Sequence, residues 1–375
     1  MENKITKPSS CEMLGAECAP PESPVRSGAS ISGSAPIPAK DEAGRGCPRG
    51  NSPPRHGTLR ILAFFAFFAV LLVAVDSAVN YGLRRINTSR FGVSNQVMTG
   101  QVNADIVING SSRALTHYDP RIIERITGHS AFNIGRNGSQ TDMQLAFLRA
   151  YLAHNRKPKL VIQNLDLFSF VTSREIYDPA QYMPYLKDEA IYAGIRQIYP
   201  YAWKWRYLPL YGYVVEDMRF TWILGLSGLA GFQTREDHFQ GFLPRRTSWT
   251  GDFEKFRASV RDGVCFEIEP RGVRDLAGVA EVCRERGVPL LFVYSPEFAE
   301  MQILERNRAE VFAKFREICK KCSVSLWDYS DSPICRDRGL FYNSQHLNIN
   351  GATVFSEALA QKLRGVDFTA SKWAQ

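Results

Sequence analysis

Hydrophobic positions divide the chain at about residue 100. Beyond that point, short and continuously apolar runs recur at 104–109, 131–134, 160–164, 289–294 and 324–327. Most of the stretches between them carry helical spacing, clearest at 141–155, 273–286, 301–320 and 351–364. Ser139 with Asp142 reads as a capping box opening the first of these helices. Runs that are apolar throughout, rather than alternating, predict strands buried on both faces, as in a parallel sheet covered by helices. Strand and helix repeated in this order predict a three-layer α/β domain over 101–366, with a C-terminal tail at 367–375. An insertion at about 172–250 separates the third run from the fourth.

Upstream the pattern changes. Residues 61–75 are fifteen apolar residues without a charge. Taken from Leu59 to Val79, such a helix is about 31 Å long at ~1.5 Å per residue, enough for a bilayer core. Residues 59–80 therefore read as a retained transmembrane anchor, with Arg60 and Asp76 near its ends. A buried core helix and a cleaved signal peptide are the alternatives. Four Phe without a polar face weigh against the first; a long leader and no clear cleavage site weigh against the second. Arg45, Arg49, Arg55 and Arg60 precede the span and Arg84, Arg85 and Arg90 follow it. This slight excess predicts an inner-membrane protein with the N-terminus inside and an extracytoplasmic, periplasmic domain. Residues 1–58 hold nine of the 20 prolines and no Phe, Trp or Tyr, a composition too poor in apolar surface to order itself. They read as a disordered tail, and 81–100 as a juxtamembrane linker.

Charge narrows the picture only a little. The 46 Lys+Arg against 38 Asp+Glu leave a net +8 with no long basic run, and no nucleic-acid-binding module is recognisable, so no nucleic-acid partner is expected. Three of the eight Cys lie in the tail (Cys11, Cys18, Cys47) and five in the domain (Cys265, Cys283, Cys319, Cys322, Cys335). Cys319 and Cys322 lack a second pair or a His to complete a zinc set, and neither metal nor cofactor is expected. Outside the cytoplasm a disulfide between two domain cysteines is permitted. Nine of the 15 Tyr fall between Tyr177 and Tyr213, with Trp203 and Trp205 among them. Such rings suit sugars or a membrane interface, and equally the core of a helical subdomain. Residues 221–232 are apolar but too short to span.

In a parallel α/β sheet the chemistry gathers beyond the carboxyl ends of the strands. After the first run comes Asn109-Gly110-Ser111-Ser112-Arg113, where a Ser at a strand-to-helix turn has amide donors beside its hydroxyl. After the second comes Asn133-Ile134-Gly135-Arg136-Asn137-Gly138, and after the third Gln163-Asn164-Leu165-Asp166. The C-terminal segment Asn343-Ser344-Gln345-His346-Leu347-Asn348 leads into the last helix. Each has a plain structural reading as well: turn chemistry for Gly-Ser-Ser, a loop cap for Asn164, a structural or solvated ring for His346.

Together these segments resemble the SGNH/GDSL hydrolase superfamily. Gly110-Ser111-Ser112 stands for the first block, Gly138 after Asn137 for the second, Asn164 for the third and Asn343-Ser344-Gln345-His346 for the last. The resemblance covers roughly residues 100–175 and 285–365. It implies a three-layer, flavodoxin-like parallel sheet and a Ser nucleophile at Ser112 with His346 as its base. Oxyanion donors would come from Ser112 N–H, Gly138 and Asn164. Asn343 stands where the family has Asp, an amide that orients the imidazole without charging it; Asp328 and Asp337 are candidate stand-ins. Members with Gly-Ser-Ser, His-Leu-Asn and one anchor look most like extracytoplasmic acyl-transfer proteins. That implies transfer or hydrolysis of an ester, such as O-acetyl, on a cell-surface or secreted polysaccharide. The implied partners are a polysaccharide or acyl carrier and a membrane-bound acyl donor protein. The other readings are a catalytically silent protein that binds polysaccharide or scaffolds a synthesis complex, and an esterase for small molecules.

Overall fold

The computed structural model describes residues 55–216, 218–234, 238–366 and 368. The tails expected at 1–58 and 367–375 lie almost wholly outside the described residues. The chain divides into two compact units, Met1–Leu72 and Val73–Gln375. In the first, the described part is the start of helix α1 (Arg55–Leu83), whose Leu59, Phe64, Phe67 and Val70 are exposed. From Gly57 to Leu83 it is long and apolar enough to cross a membrane.

The second unit is built on five parallel strands: β1 (Ile106–Asn109), β2 (Ala131–Asn133), β3 (Leu160–Asn164), β4 (Leu290–Tyr294) and β5 (Ser325–Asp328). Their order is β2-β1-β3-β4-β5, every pairing parallel, so the order reverses between β1 and β3. That is the switch point at which doubly wound sheets open a crevice. Four of the five predicted runs contain one of these strands whole, and the fifth, 324–327, covers β5 up to its last residue.

The helices that follow α1 are α2 (Ser89–Met98), α3 (Ser112–His117), α4 (Pro120–Thr127), α5 (Thr141–His154), α6 (Glu189–Ile198), α7 (Ala202–Tyr207), α8 (Tyr211–Val215), α9 (Arg219–Leu229), α10 (Asp252–Ser259), α11 (Pro270–Glu285), α12 (Ala299–Leu304), α13 (Arg308–Cys322) and α14 (Ile349–Arg364). Alternate strand residues feed two separate cores. Val107, Val161 and Phe292 join residues of α2, α5, α11 and α13. Ile106, Ile108, Ile162 and Val293 point the other way, to Ala114, Ile123, Phe355 and Leu359 of α3, α4 and α14. Strands β1 to β4 are therefore buried on both faces, which is why their sequences do not alternate.

Three expectations need correction. Residues 81–100 are not a linker: Leu83, Ile86, Phe91 and Val97 lie in the main core, and α2 packs on α5. The helical stretch 301–320 is broken between α12 and α13, because Val264 pairs with Glu305 and takes main-chain bonds there (Val264 N to Leu304 O 2.8 Å; Arg306 N to Val264 O 2.9 Å). Ser139 and Asp142 form no capping box. Helix α5 starts at Thr141, and the Asp142 carboxylate accepts instead from Met143 N and from Ser173. The five domain cysteines are all unpaired. In the insertion, Tyr182, Tyr185, Trp205 and Tyr213 are core, whereas Tyr177, Tyr201, Trp203 and Tyr207 are exposed. The reading of the aromatics as the core of a helical subdomain therefore holds for the first four.

Candidate active site

Gly110 ends β1 at φ 150°, and a β-carbon there would collide with Ala114 and Asn164. Only a glycine lets the chain turn this tightly out of the strand. Ser111 then caps α3, its Oγ accepting from Arg113 N at 3.2 Å, and is buried. Ser112 is the first helical residue and points elsewhere: its Oγ lies 2.7 Å from His346 Nε2.

His346 is held in a short turn made by Asn343. The Asn343 Oδ1 accepts from Gln345 N (3.1 Å), His346 N (2.9 Å) and His346 Nδ1 (2.9 Å). Two of these donors are main-chain amides, so the atom must be the carbonyl oxygen, and Nδ1 must carry the ring proton. Nε2 is then the bare nitrogen and accepts from the Ser112 hydroxyl. Just beyond, Asn348 caps α14, accepting from Asn350 N and Gly351 N and donating to Gly339 O at 2.7 Å. Tyr342 stacks on the His346 ring at 5.3 Å, with the Arg245 guanidinium 5.5 Å above Tyr342. Burial first, then the charges of Arg113 and Arg245, push the His346 pKa down to about 3.

Beneath this run lies a second buried layer that sequence reasoning missed. His117 accepts from Leu347 N through Nε2 at 3.0 Å, so its Nδ1–H donates to Ser295 Oγ at 2.9 Å. Burial, then Arg113 and His346, keep its pKa well below the ordinary value. Arg113 pairs with Asp166 at 3.4 Å, donates to the Ser295 carbonyl and sits 4.5 Å over the Tyr294 ring. Burial opposes the Arg113 charge, but Tyr294, Glu297 and Asp166 outweigh it and hold the guanidinium protonated. Burial pushes Asp166 up to about 6 against the pull of Arg113 and of Ser111 beside it. The available signals were Arg113 directly after Ser112 and His117 near the end of the same short helix.

Gly138 and Asn137 lie on the loop after β2, which docks on the first turn through Arg136 N to Gly110 O at 3.0 Å. Gly138 has φ 63°, and the Tyr177 ring covers its α-carbon so closely that a β-carbon would enter the ring. Asn137 Nδ2 donates to Tyr177 OH at 3.1 Å. Asn164 is turned away from the role expected of it. Its Nδ2 donates to Leu165 O and Asp166 Oδ1, both at 3.2 Å, and its Oδ1 accepts from Tyr118 OH at 2.7 Å. The buried Asp166 carboxylate draws that amide inward. Asp328 and Asp337 do not stand in for Asn343 either: the first accepts from Ser330, the second from Gly339 N. Among the described residues no group of three or more His, Cys, Asp or Glu could hold a metal ion.

Comparison with known proteins adds no relative: no family model matches the chain, and neither does any curated protein.

Proposed function

We propose that the domain is an SGNH/GDSL-type acyltransferase or esterase that moves an acyl group, such as O-acetyl, to or from a cell-surface or secreted polysaccharide. The observation that carries this reading is the hydrogen-bonded run Ser112–His346–Asn343 at the carboxyl ends of a parallel sheet. In it, His346 Nε2 takes the Ser112 proton as Oγ attacks the ester carbonyl. The imidazolium returns that proton to the departing alkoxide, leaving an acyl-serine. An acceptor hydroxyl, from a sugar or from water, then enters by the reverse steps. With Asn164 turned inward, the oxyanion donors reduce to the main-chain amides of Ser112 and Gly138, each worth about 2–4 kcal/mol in comparable sites. Tyr177 beside Gly138 offers a half-exposed ring to a sugar face. The length and apolarity of α1 support a membrane anchor, and the slight Arg excess before it favours an inner membrane with the domain in the periplasm, where a membrane-bound acyl donor protein could reach the site.

A second reading is a catalytically silent polysaccharide-binding or scaffold protein. The depressed His346 favours it, since a base with a pKa near 3 has little drive to take a proton at neutral pH. Fluorophosphonate labelling of the full chain in detergent separates the two. The enzyme reading expects labelling that Ser112→Ala abolishes, with turnover of an activated ester falling at least ~10³-fold. Ser111→Ala should retain measurable activity. A folded wild-type chain that neither labels nor turns over such an ester would establish the silent reading.

A further inference from the structure

Among the described residues outside α1, the exposed large apolar side chains are unevenly spread. All but Tyr177, Ile303 and Val354 fall between residues 201 and 232. Phe220 is 83% exposed, Val214 74% and Phe232 66%. No charged residue interrupts 220–232. A patch of this kind on a folded domain marks a surface that something covers.

What lies beside it is the carboxyl end of α1. Gly82 meets Gly225 and Gly228 of α9 with no room for a β-carbon at any of the three, and Gly225 also abuts Val79. Leu210 N donates to Asp76 at 2.9 Å and Tyr213 OH to Asn80 at 2.9 Å. Gln233 closes the far end, donating to Arg85 O at 3.1 Å and accepting from Asn87 N at 2.7 Å. The segment is thus fastened along the last two turns of the helix read as the membrane span. Its edge carries Tyr201, Trp203 and Tyr207 with Lys204, whose ammonium lies 5.0 Å over the Tyr201 ring. Aromatic rings and lysines mixed in this way are the makeup of a membrane–water boundary.

We infer that residues 201–232 are a membrane-docking face, with α9 lying in the interface of the bilayer that α1 enters. The inference rests on reading α1 as a span. Helix α9 has eleven residues, about 16 Å at ~1.5 Å per residue, too short to cross, so it lies along the boundary. Its glycine face is turned to α1, leaving the bulky apolar residues for acyl chains.

The test uses the full chain in vesicles of phosphatidylcholine and phosphatidylglycerol, with photoactivatable benzoylphenylalanine placed singly at Phe68, Phe220, Phe232 and Ile303. Phe68 reports the span, and Ile303 is an apolar residue exposed away from the patch. Lipid adducts at Phe220 and Phe232 should exceed those at Ile303 by about tenfold or more. Adducts at the Ile303 level, or to a second copy of the chain in place of lipid, would overturn the docking face. Labelling at Phe68 with Phe220 silent rejects docking and keeps the span. Labelling at Phe220 with Phe68 silent rejects the span and keeps docking, and silence at both rejects both.

Discussion

At Asn343 one carbonyl oxygen accepts from two main-chain amides and from the His346 ring, so changing it alters three hydrogen bonds together. Asn343→Asp keeps the acceptor and adds a negative charge. The imidazolium is then favoured, and the His346 pKa rises from about 3 by roughly 1–3 units. His346 must be neutral to act as base, so the acid limb of the kcat/KM profile should move up by the same amount. A limb that stays put would mean that Asn343 does not face the working ring. Asn343→Ala removes the acceptor and with it the fixed tautomer, and should cost about 10²–10⁴ in rate, with Asp restoring most of it. The meeting of Ser112, Asn343 and His346 was legible because each stands in a short polar motif just past an apolar run or before the last helix. Arg113–Asp166 and His117–Ser295 were not. Their partners lie 53 and 178 residues apart, and a buried polar pair leaves no periodic trace.

Among the elements, those with a simple burial pattern were legible. Strands β1 to β4 are buried on both faces, α5 is buried nearly all round, and α11 and α14 each keep a clear core side. Helix α2 was missed because its buried residues include Ser94 and Asn95, which read as surface. The Asn95 side chain instead donates to Leu83 O and Ile86 O. The break at Glu305 comes from a distant segment, Val264, and so is invisible to local spacing. The loop after β2 carries its own prediction. Gly138→Ala meets both a left-handed φ and the Tyr177 ring, so it should cost about 1–3 kcal/mol and lower activity. Tyr177→Ala relieves the collision but not the backbone strain. A double-mutant cycle should therefore show partial rescue of unfolding free energy; strict additivity would mean that Tyr177 does not rest on this glycine.

At the scale of the molecule, the buried imidazoles make stability depend on pH. His346 titrates near 3 when folded and near 6.5 when unfolded, and His117 is shifted the same way. The unfolded chain therefore binds more protons as pH falls below 6.5, and stability is lost, on the order of 4 kcal/mol for His346 by pH 3. Asp166 and Asp275, both raised to about 6, and Glu305, raised by burial beside Glu297, take up their protons in the folded state first and work in the opposite direction. The His346 contribution is therefore read by difference: between pH 7 and pH 4.5 the thermal midpoint of the wild type in detergent should move less favourably than that of His346→Gln. An equal movement in the two proteins would sink the argument.

Many anchored surface proteins are shed, a protease cutting an exposed stalk and freeing an active ectodomain. Among the described residues no exposed stalk separates α1 from the domain. Val79 and Leu83 belong to α1 and are fully buried in the domain's core, as is Ile86 directly after it. Cleavage at Arg84 or Arg85 would remove the first two, at about 2–5 kcal/mol for a side chain of Leu size. It would also bare the glycine face of α9. Against a total of about 5–15 kcal/mol for an ordinary domain, that loss is decisive. A fragment beginning at residue 86 should therefore aggregate or unfold, where one beginning at Val73 keeps a cooperative transition by circular dichroism. A well-folded 86–375 fragment would show that shedding remains open to it.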